Sequence, residues 1–312
     1  MLCCLHLTMT AYMKIENMNL SANLIFRVTG ITTLLFCCLF LQSAHAEKID
    51  LKLPSGISVA ANYHAGKPGM PTVLLLHGFL QTHNSPPTST LAANLASKGY
   101  TLLNPTISLG INKRSQSLAC EAVHTHKLQD EQSEIDFWLK WLIRKNHQNI
   151  ALVGFSSNGN LNVLEYISHS PIPEVKKAIL IGFNPINFDL SERQEARADV
   201  EQKQIDSSKD INNFSMGYCK NNYTATVDSY LSYAQYDENR LLQLLKQSHI
   251  AADIILGSDD TILPAPWLAM IKALPARNRI ITISNANHFF DGTSEFDLSE
   301  EVEKLLQSIP TK

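Results

Sequence analysis

Cysteine is scarce in this 312-residue chain: there are six, and Cys3, Cys4, Cys37 and Cys38 fall within the first 46 residues. Only Cys120 and Cys219 follow, and nothing around them resembles the closely spaced Cys/His set of a structural zinc site. No basic run stands out either. The 26 Lys and Arg are outnumbered by 29 Asp and Glu, for a net charge of −3, which argues against nucleic acid as a partner. A glycine-rich dinucleotide fingerprint, a P-loop and a metal cage are all missing, so the sequence implies no cofactor. Internal repeats and low-complexity tracts are absent, which excludes a solenoid. The long apolar run, VTGITTLLFCCLFL at 28–41, is short for a bilayer span.

What flanks that run gives it a meaning. Arg27 precedes it and SAHA follows, with small residues at Ala44 and Ala46. A basic residue, an apolar stretch and an A-x-A end read together as a secretory signal peptide covering 1–46. The stretch ahead of it is long enough that translation from Met13 or Met18 is an alternative start. An uncleaved membrane anchor is the alternative reading. Cleavage after Ala46 leaves 266 residues, enough for one large core with a smaller appended segment. It removes Lys14, Arg27 and Glu16, leaving 24 basic against 28 acidic residues and a net charge of −4. The mature protein is expected to be exported, periplasmic or secreted, with no membrane span after processing. Two cysteines in such a protein predict one disulfide, Cys120 to Cys219; two separate buried thiols are the alternative.

Apolar patterning over 47–312 alternates between two periods. IDLKL from Ile49 and ISVAANY from Ile57 flank Pro54-Ser55-Gly56 and predict an edge hairpin. TVLLLHG at 72–78 is a continuous apolar run, as expected of a strand buried on both faces. A helix is expected at 88–98, a strand at 100–103 and a helix at 128–144, with Ile135, Trp138, Leu139 and Leu142 on its apolar face. A strand, a sharp corner and a helix follow at 149–168, and VKKAILIG ends a strand at Gly182. Regular alternation stops over 184–238. That segment holds the polar SERQEARADVEQKQIDSSKD, expected as a solvated helix, and the tyrosine-rich GYCKNNYTATVDSYLSYAQYDE. It is far longer than a crossover needs and predicts an inserted lid. Alternation resumes with helices near 239–248, 267–274 and 296–308 and strands at 252–257 and 279–284. The whole predicts an α/β protein with a mostly parallel sheet flanked by helices, the lid inserted before the strand at 252–257.

In open α/β sheets functional groups gather beyond the carboxyl ends of strands. Four such ends here carry unusual residues: His77-Gly78-Phe79, Ser156-Ser157-Asn158-Gly159, Gly257-Ser258-Asp259-Asp260 and Asn285-Ala286-Asn287-His288. Each is weak alone, but serine, acid and histidine occur in that order, each after a separate strand. On these residues the chain resembles the α/β-hydrolase superfamily over about 55–310, lid excluded. The matching pieces are the His77-Gly78 segment, the G-x-S-x elbow Gly154-Phe155-Ser156-Ser157, the stretch from Gly257 to Pro264, and the segment at His288.

The resemblance implies a carboxylic ester hydrolase working through an acyl-enzyme, with a small-molecule acyl substrate. Ser156 would be the nucleophile and His288 the base. Asp260 would be the acid, with Asp189 in reserve and Asp259 capping a turn or facing solvent. The implied oxyanion donors are the backbone N–H groups of Ser157 and Phe79, with Leu80 a rival to Phe79, and His77 would anchor that loop. Two departures stand out. Asn158 replaces the elbow's usual final glycine, with Gly159 placed to relieve the crowding. The loop NPTISLGINKRSQSL lacks the arginine-glycine turn that many family members carry. Tyr223, Tyr230, Tyr233 and Tyr236 would line an acyl pocket or pack the lid. His124 and His126 beside Cys120 invite a metal, yet no third ligand is evident, and solvated loop histidines are expected. Peptidase and thioesterase activities remain alternatives within the fold, as does a non-catalytic binding protein that keeps the fold without turnover.

Overall fold

A computed structural model describes residues 46–169, 171–274 and 277–310. The expected signal peptide therefore lies outside the described residues, apart from Ala46. Among the described residues there are ten strands: β1 (Glu47–Lys52), β2 (Ser58–His64), β3 (Thr72–Leu76), β4 (Thr101–Thr106), β5 (Ile150–Phe155), β6 (Val175–Ile181), β7 (Ile211–Met216), β8 (Cys219–Thr226), β9 (Ala252–Gly257) and β10 (Arg279–Ile283). The helices are α1 (Thr88–Lys98), α2 (Leu128–Arg144), α3 (Ser156–Ser168), α4 (Leu190–Glu201), α5 (Val227–Ala234), α6 (Glu238–Gln247), α7 (Ala265–Lys272) and α8 (Ser294–Gln307).

Eight strands form one sheet in the order β1-β2-β4-β3-β5-β6-β9-β10. β1 and β2 pair antiparallel across the Pro54-Ser55-Gly56 hairpin, β2 and β4 also pair antiparallel, and the rest are parallel. Every residue of β3, β5 and β9 is buried, because helices cover both faces and leave no side of these strands to water. Side-chain alternation along each strand divides the core in two. Val73, Leu75, Val153 and Ile255 pack under α1 and α8. Leu74, Leu76, Leu152 and Ile254 pack against α2, α3 and α6 on the other face. The predicted stripe Ile135, Trp138, Leu139 and Leu142 lies wholly within that second layer.

The segment between β6 and β9 contains α4, the antiparallel hairpin β7–β8 and α5, followed by α6. Helix α4 buries only Ala196, in keeping with its polar sequence. The hairpin was not apparent from the chain, since β7 and β8 are rich in asparagine. Its signal is the period-2 spacing of Phe214 and Met216 and of Tyr223 and Ala225, all buried. A disulfide joins Cys120 to Cys219, with Cα atoms 5.7 Å apart, and ties the β4–α2 loop to β8. No helix among the described residues is long and apolar enough to cross a membrane.

Candidate active site

Strand β5 runs straight into α3 with only Phe155 as the joint, and Ser156 takes a positive φ of 57°. That conformation is costly for a residue with a Cβ and lifts the side chain out of the turn. It persists because the surroundings hold it. A Cβ on Gly154 would lie 2.5 Å from the Gly159 carbonyl oxygen, and one on Gly159 would lie 2.8 Å from that of His77. Helix α3 thus approaches β5 and β3 backbone to backbone, through Gly159 rather than through residue 158.

Asn158 is thereby free to carry a side chain. Its Nδ2 donates to Glu131 Oε2 at 3.0 Å. Glu131, fully buried on α2, also accepts from Asn162 of α3 and from the Tyr233 hydroxyl of α5. Burial raises the Glu131 carboxyl above its usual range, and the bonds from Tyr233, Asn162 and Asn158 oppose that shift.

Ser156 Oγ donates to His288 Nε2 at 2.8 Å, and His288 Nδ1 donates to Asp260 Oδ2 at 2.7 Å. The carboxylate can only accept, which assigns the proton on Nδ1 and leaves Nε2 as the acceptor. The other oxygen of Asp260 accepts from the backbone of Ile262 and Leu263, and its side chain is fully buried. The acid and histidine loops can touch because position 257 is glycine: a Cβ there would lie 2.2 Å from the Ala286 carbonyl oxygen. His288 is bracketed by Phe155 and Phe289 and packs on Gly182 at the end of β6, a contact the sequence did not flag.

The other acids stand elsewhere. Asp259 is exposed and accepts from the Ser258 hydroxyl. Asp189 caps α4, accepting from the backbone of Ser191 and Glu192.

Beside Ser156, Gly78 comes so close that an added Cβ would sit 3.3 Å from the serine Cβ. The backbone N–H groups of Phe79, Leu80 and Ser157 make no hydrogen bond among the described residues. Leu80 has a φ of 57° and its carbonyl is taken by Leu118. The Phe79 ring packs edge-on to Tyr218 at the tip of the β7–β8 hairpin and also contacts Tyr223.

Two expectations need correction or narrowing. His124 and His126 are not solvated: they are 1% and 3% exposed. The tertiary fold lays the loop beneath the hairpin, where His124 stacks on Tyr223 and His126 meets Tyr233 edge-on. Burial lowers both, His126 to about 3, with the neighbouring His124 and Arg114 adding to the shift. Among the described residues no group of three or more acidic, histidine or cysteine side chains is placed to hold a metal ion. The four tyrosines are all buried: Tyr230 stacks on Phe214, and Tyr233 bonds Glu131. Tyr223 also packs on Phe79 and His124, so the tyrosines pack both within the insertion and against the residues beneath it.

A cleft of about 620 Å³ opens at the amino ends of β3 and β4, between Thr72, Thr101 and Glu174. It shares no residue with the Ser156 site, which lies at the opposite ends of the strands.

No family model matches the chain, and no curated protein matches it in sequence. Solved structures do match. The thioesterase domain from the curacin biosynthetic pathway aligns with 85% of this chain and 100% of its own, at 16% identity and a TM-score of 0.57. Est1E from Butyrivibrio proteoclasticus aligns over 83% and 97%, at 14% identity and 0.59. This chain has the α/β-hydrolase fold. A third such neighbour, the dienelactone hydrolase from Anabaena variabilis, aligns over 86% and 99%, at 14% identity and 0.56.

Proposed function

We propose that this α/β-hydrolase-fold protein hydrolyses a carboxylic ester or related acyl bond, with Ser156 as nucleophile, His288 as general base and acid, and Asp260 as the orienting carboxylate. The observation that carries this reading is the continuous hydrogen-bond chain from Ser156 Oγ through both ring nitrogens of His288 to a buried Asp260. Ser156 Oγ attacks the substrate carbonyl as its proton passes to Nε2. Asp260 holds the ring in the required tautomer and stabilises the imidazolium that results. The oxyanion faces the unpaired N–H of Ser157 at the start of α3, where the helix dipole adds to the attraction, and the N–H of Phe79. Collapse expels the alcohol or thiol, which takes the proton from Nε2. Water then repeats the sequence on the acyl-enzyme.

The 184–238 insertion acts as a lid in this reading, since its hairpin tip lies on Phe79. The N-terminal signal makes the enzyme an exported one, periplasmic or secreted.

A fluorophosphonate probe with peptide mapping tests the assignment. The adduct is expected on Ser156, Ser156→Ala should abolish labelling and turnover, and Ser157→Ala should retain most activity because its N–H remains. An adduct on Ser157, or turnover surviving in Ser156→Ala, overturns the reading. A panel of chromogenic esters, thioesters and aminoacyl amides then ranks the acyl classes.

A further inference from the structure

Arg114 lies in the β4–α2 loop, 5% exposed, where the negative charges of Glu131 and Glu134 favour its charged form but neither carboxylate hydrogen-bonds the guanidinium. A guanidinium in such a place must be satisfied by neutral acceptors, and these are supplied in a particular pattern. Nε donates to the Ile107 carbonyl at 2.7 Å. One terminal nitrogen donates to the carbonyls of Gln116 at 3.0 Å and Leu80 at 3.4 Å. The other donates to the Gln81 carbonyl at 2.6 Å and to His77 Nε2 at 3.2 Å. Three of these acceptors belong to the segment His77–Gln81, which begins beside Ser156.

The contact with His77 reaches furthest. Nε2 also accepts the Ile107 backbone N–H at 3.0 Å. With two donors aimed at Nε2, the ring proton sits on Nδ1, which donates to the Gly78 carbonyl at 2.9 Å. That carbonyl and the Phe79 N–H belong to one planar peptide unit and point in opposite directions. Whatever holds the Gly78 oxygen therefore sets where the Phe79 N–H aims. Burial, with the Arg114 charge beside it, lowers His77 to about 3 and keeps the ring neutral.

We propose that Arg114 is a positioning residue for the oxyanion site: acting through His77 and the Leu80 and Gln81 carbonyls, it aims the Phe79 N–H at the oxygen that becomes negative. This rests on acyl transfer at Ser156, and it adds a residue that touches neither substrate nor the reacting atoms.

The test uses the full mature chain with p-nitrophenyl butyrate. Lysine keeps the charge of Arg114 but lacks the planar fork that meets five acceptors. Arg114→Lys and Arg114→Met should therefore fold, label at Ser156 and keep KM within about threefold. Their kcat should fall roughly 10- to 1,000-fold, with Arg114→Lys the milder; the upper limit is the cost of losing an oxyanion donor outright, about 100- to 1,000-fold. The pH midpoint of kcat/KM should not move, because the serine–histidine chain is intact. Affinity for butylboronic acid, whose tetrahedral adduct places an oxygen in the oxyanion site, should fall in parallel with kcat/KM. His77→Gln should show the same pattern, and the double variant His77→Gln/Arg114→Met should cost little more than either alone, as residues in one relay do.

Wild-type kcat in Arg114→Lys overturns the proposal, as do additive losses in the double variant or a loss confined to KM. Failure of both Arg114 variants to fold also overturns it, by making Arg114 a folding residue. Absence of wild-type labelling and turnover is a separate result, and it sinks the acyl-transfer reading itself.

Discussion

Asn158 stands where an elbow commonly has glycine, and its amide gives buried Glu131 one of its partners. Asn158→Gly should leave that carboxylate oxygen to Asn162 alone and destabilise the fold by about 0.5–3 kcal/mol, the net worth of one buried hydrogen bond. Turnover of the folded fraction should change little, since the Ser156 backbone is held by other contacts; urea denaturation beside initial rates checks both parts. Gly159→Ala should behave differently. Its Cβ would meet the backbone oxygens of His77 and Leu76 at 2.8 and 2.9 Å, so the α3 terminus must move and stability and turnover should fall together. The acid is tested by Asp260→Asn, expected to fold yet lose about 10⁴-fold in kcat, as when a triad histidine loses control of its tautomer. Asp259→Asn, at a solvent-facing position, should cost far less. Equal and small effects from the two would remove Asp260 from the chemistry.

At the scale of elements, the insertion is held to the sheet layer by the Glu131–Tyr233 bond and by the Cys120–Cys219 bridge, which closes a separation of 99 residues. Cys120→Ser/Cys219→Ser should lower stability on the order of 2–4 kcal/mol, read by urea denaturation against the oxidised parent. The same layer carries a pH dependence. Folded His126 stays neutral down to about pH 3, whereas the unfolded ring takes a proton below its ordinary 6.5. Acid therefore favours the unfolded chain, and this contribution is lost as pH falls from 6.5 toward 3. His77 acts in the same direction. Glu134, raised by burial to about 7, opposes them, because its ionised form is the disfavoured one in the fold. The thermal midpoint of His126→Gln should thus fall less steeply than that of the parent between pH 6.5 and 4.

At the scale of the whole molecule, the signal reading predicts a mature chain that starts at Glu47 and carries one disulfide. Intact mass of the exported protein, before and after reduction and alkylation, checks both. Two thiols alkylated without reduction would remove the bridge, and a retained N-terminal segment would favour the anchor.

The sequence by itself determined the layers and the three residues that meet at the strand ends. Buried parallel strands leave continuous apolar runs, helix faces leave a 3.6-residue stripe, and β3, β5 and β9 coincide with runs chosen on those grounds. Placing the strands narrowed the candidates to Ser156 or Ser157, Asp259 or Asp260, and His288; the resemblance to the α/β-hydrolase motifs singled out Ser156 and Asp260. What tertiary structure alone decided is everything set by contact between distant segments. The partnership of Asn158 with Glu131, the burial of His124 and His126, and the bonds from Arg114 to His77–Gln81 depend on how the β4–α2 loop and the β7–β8 hairpin lie on the sheet. Period and composition are local quantities. They carry no record of which loop will lie against which, and a buried charge in a loop reads as a solvated one until its acceptors are seen.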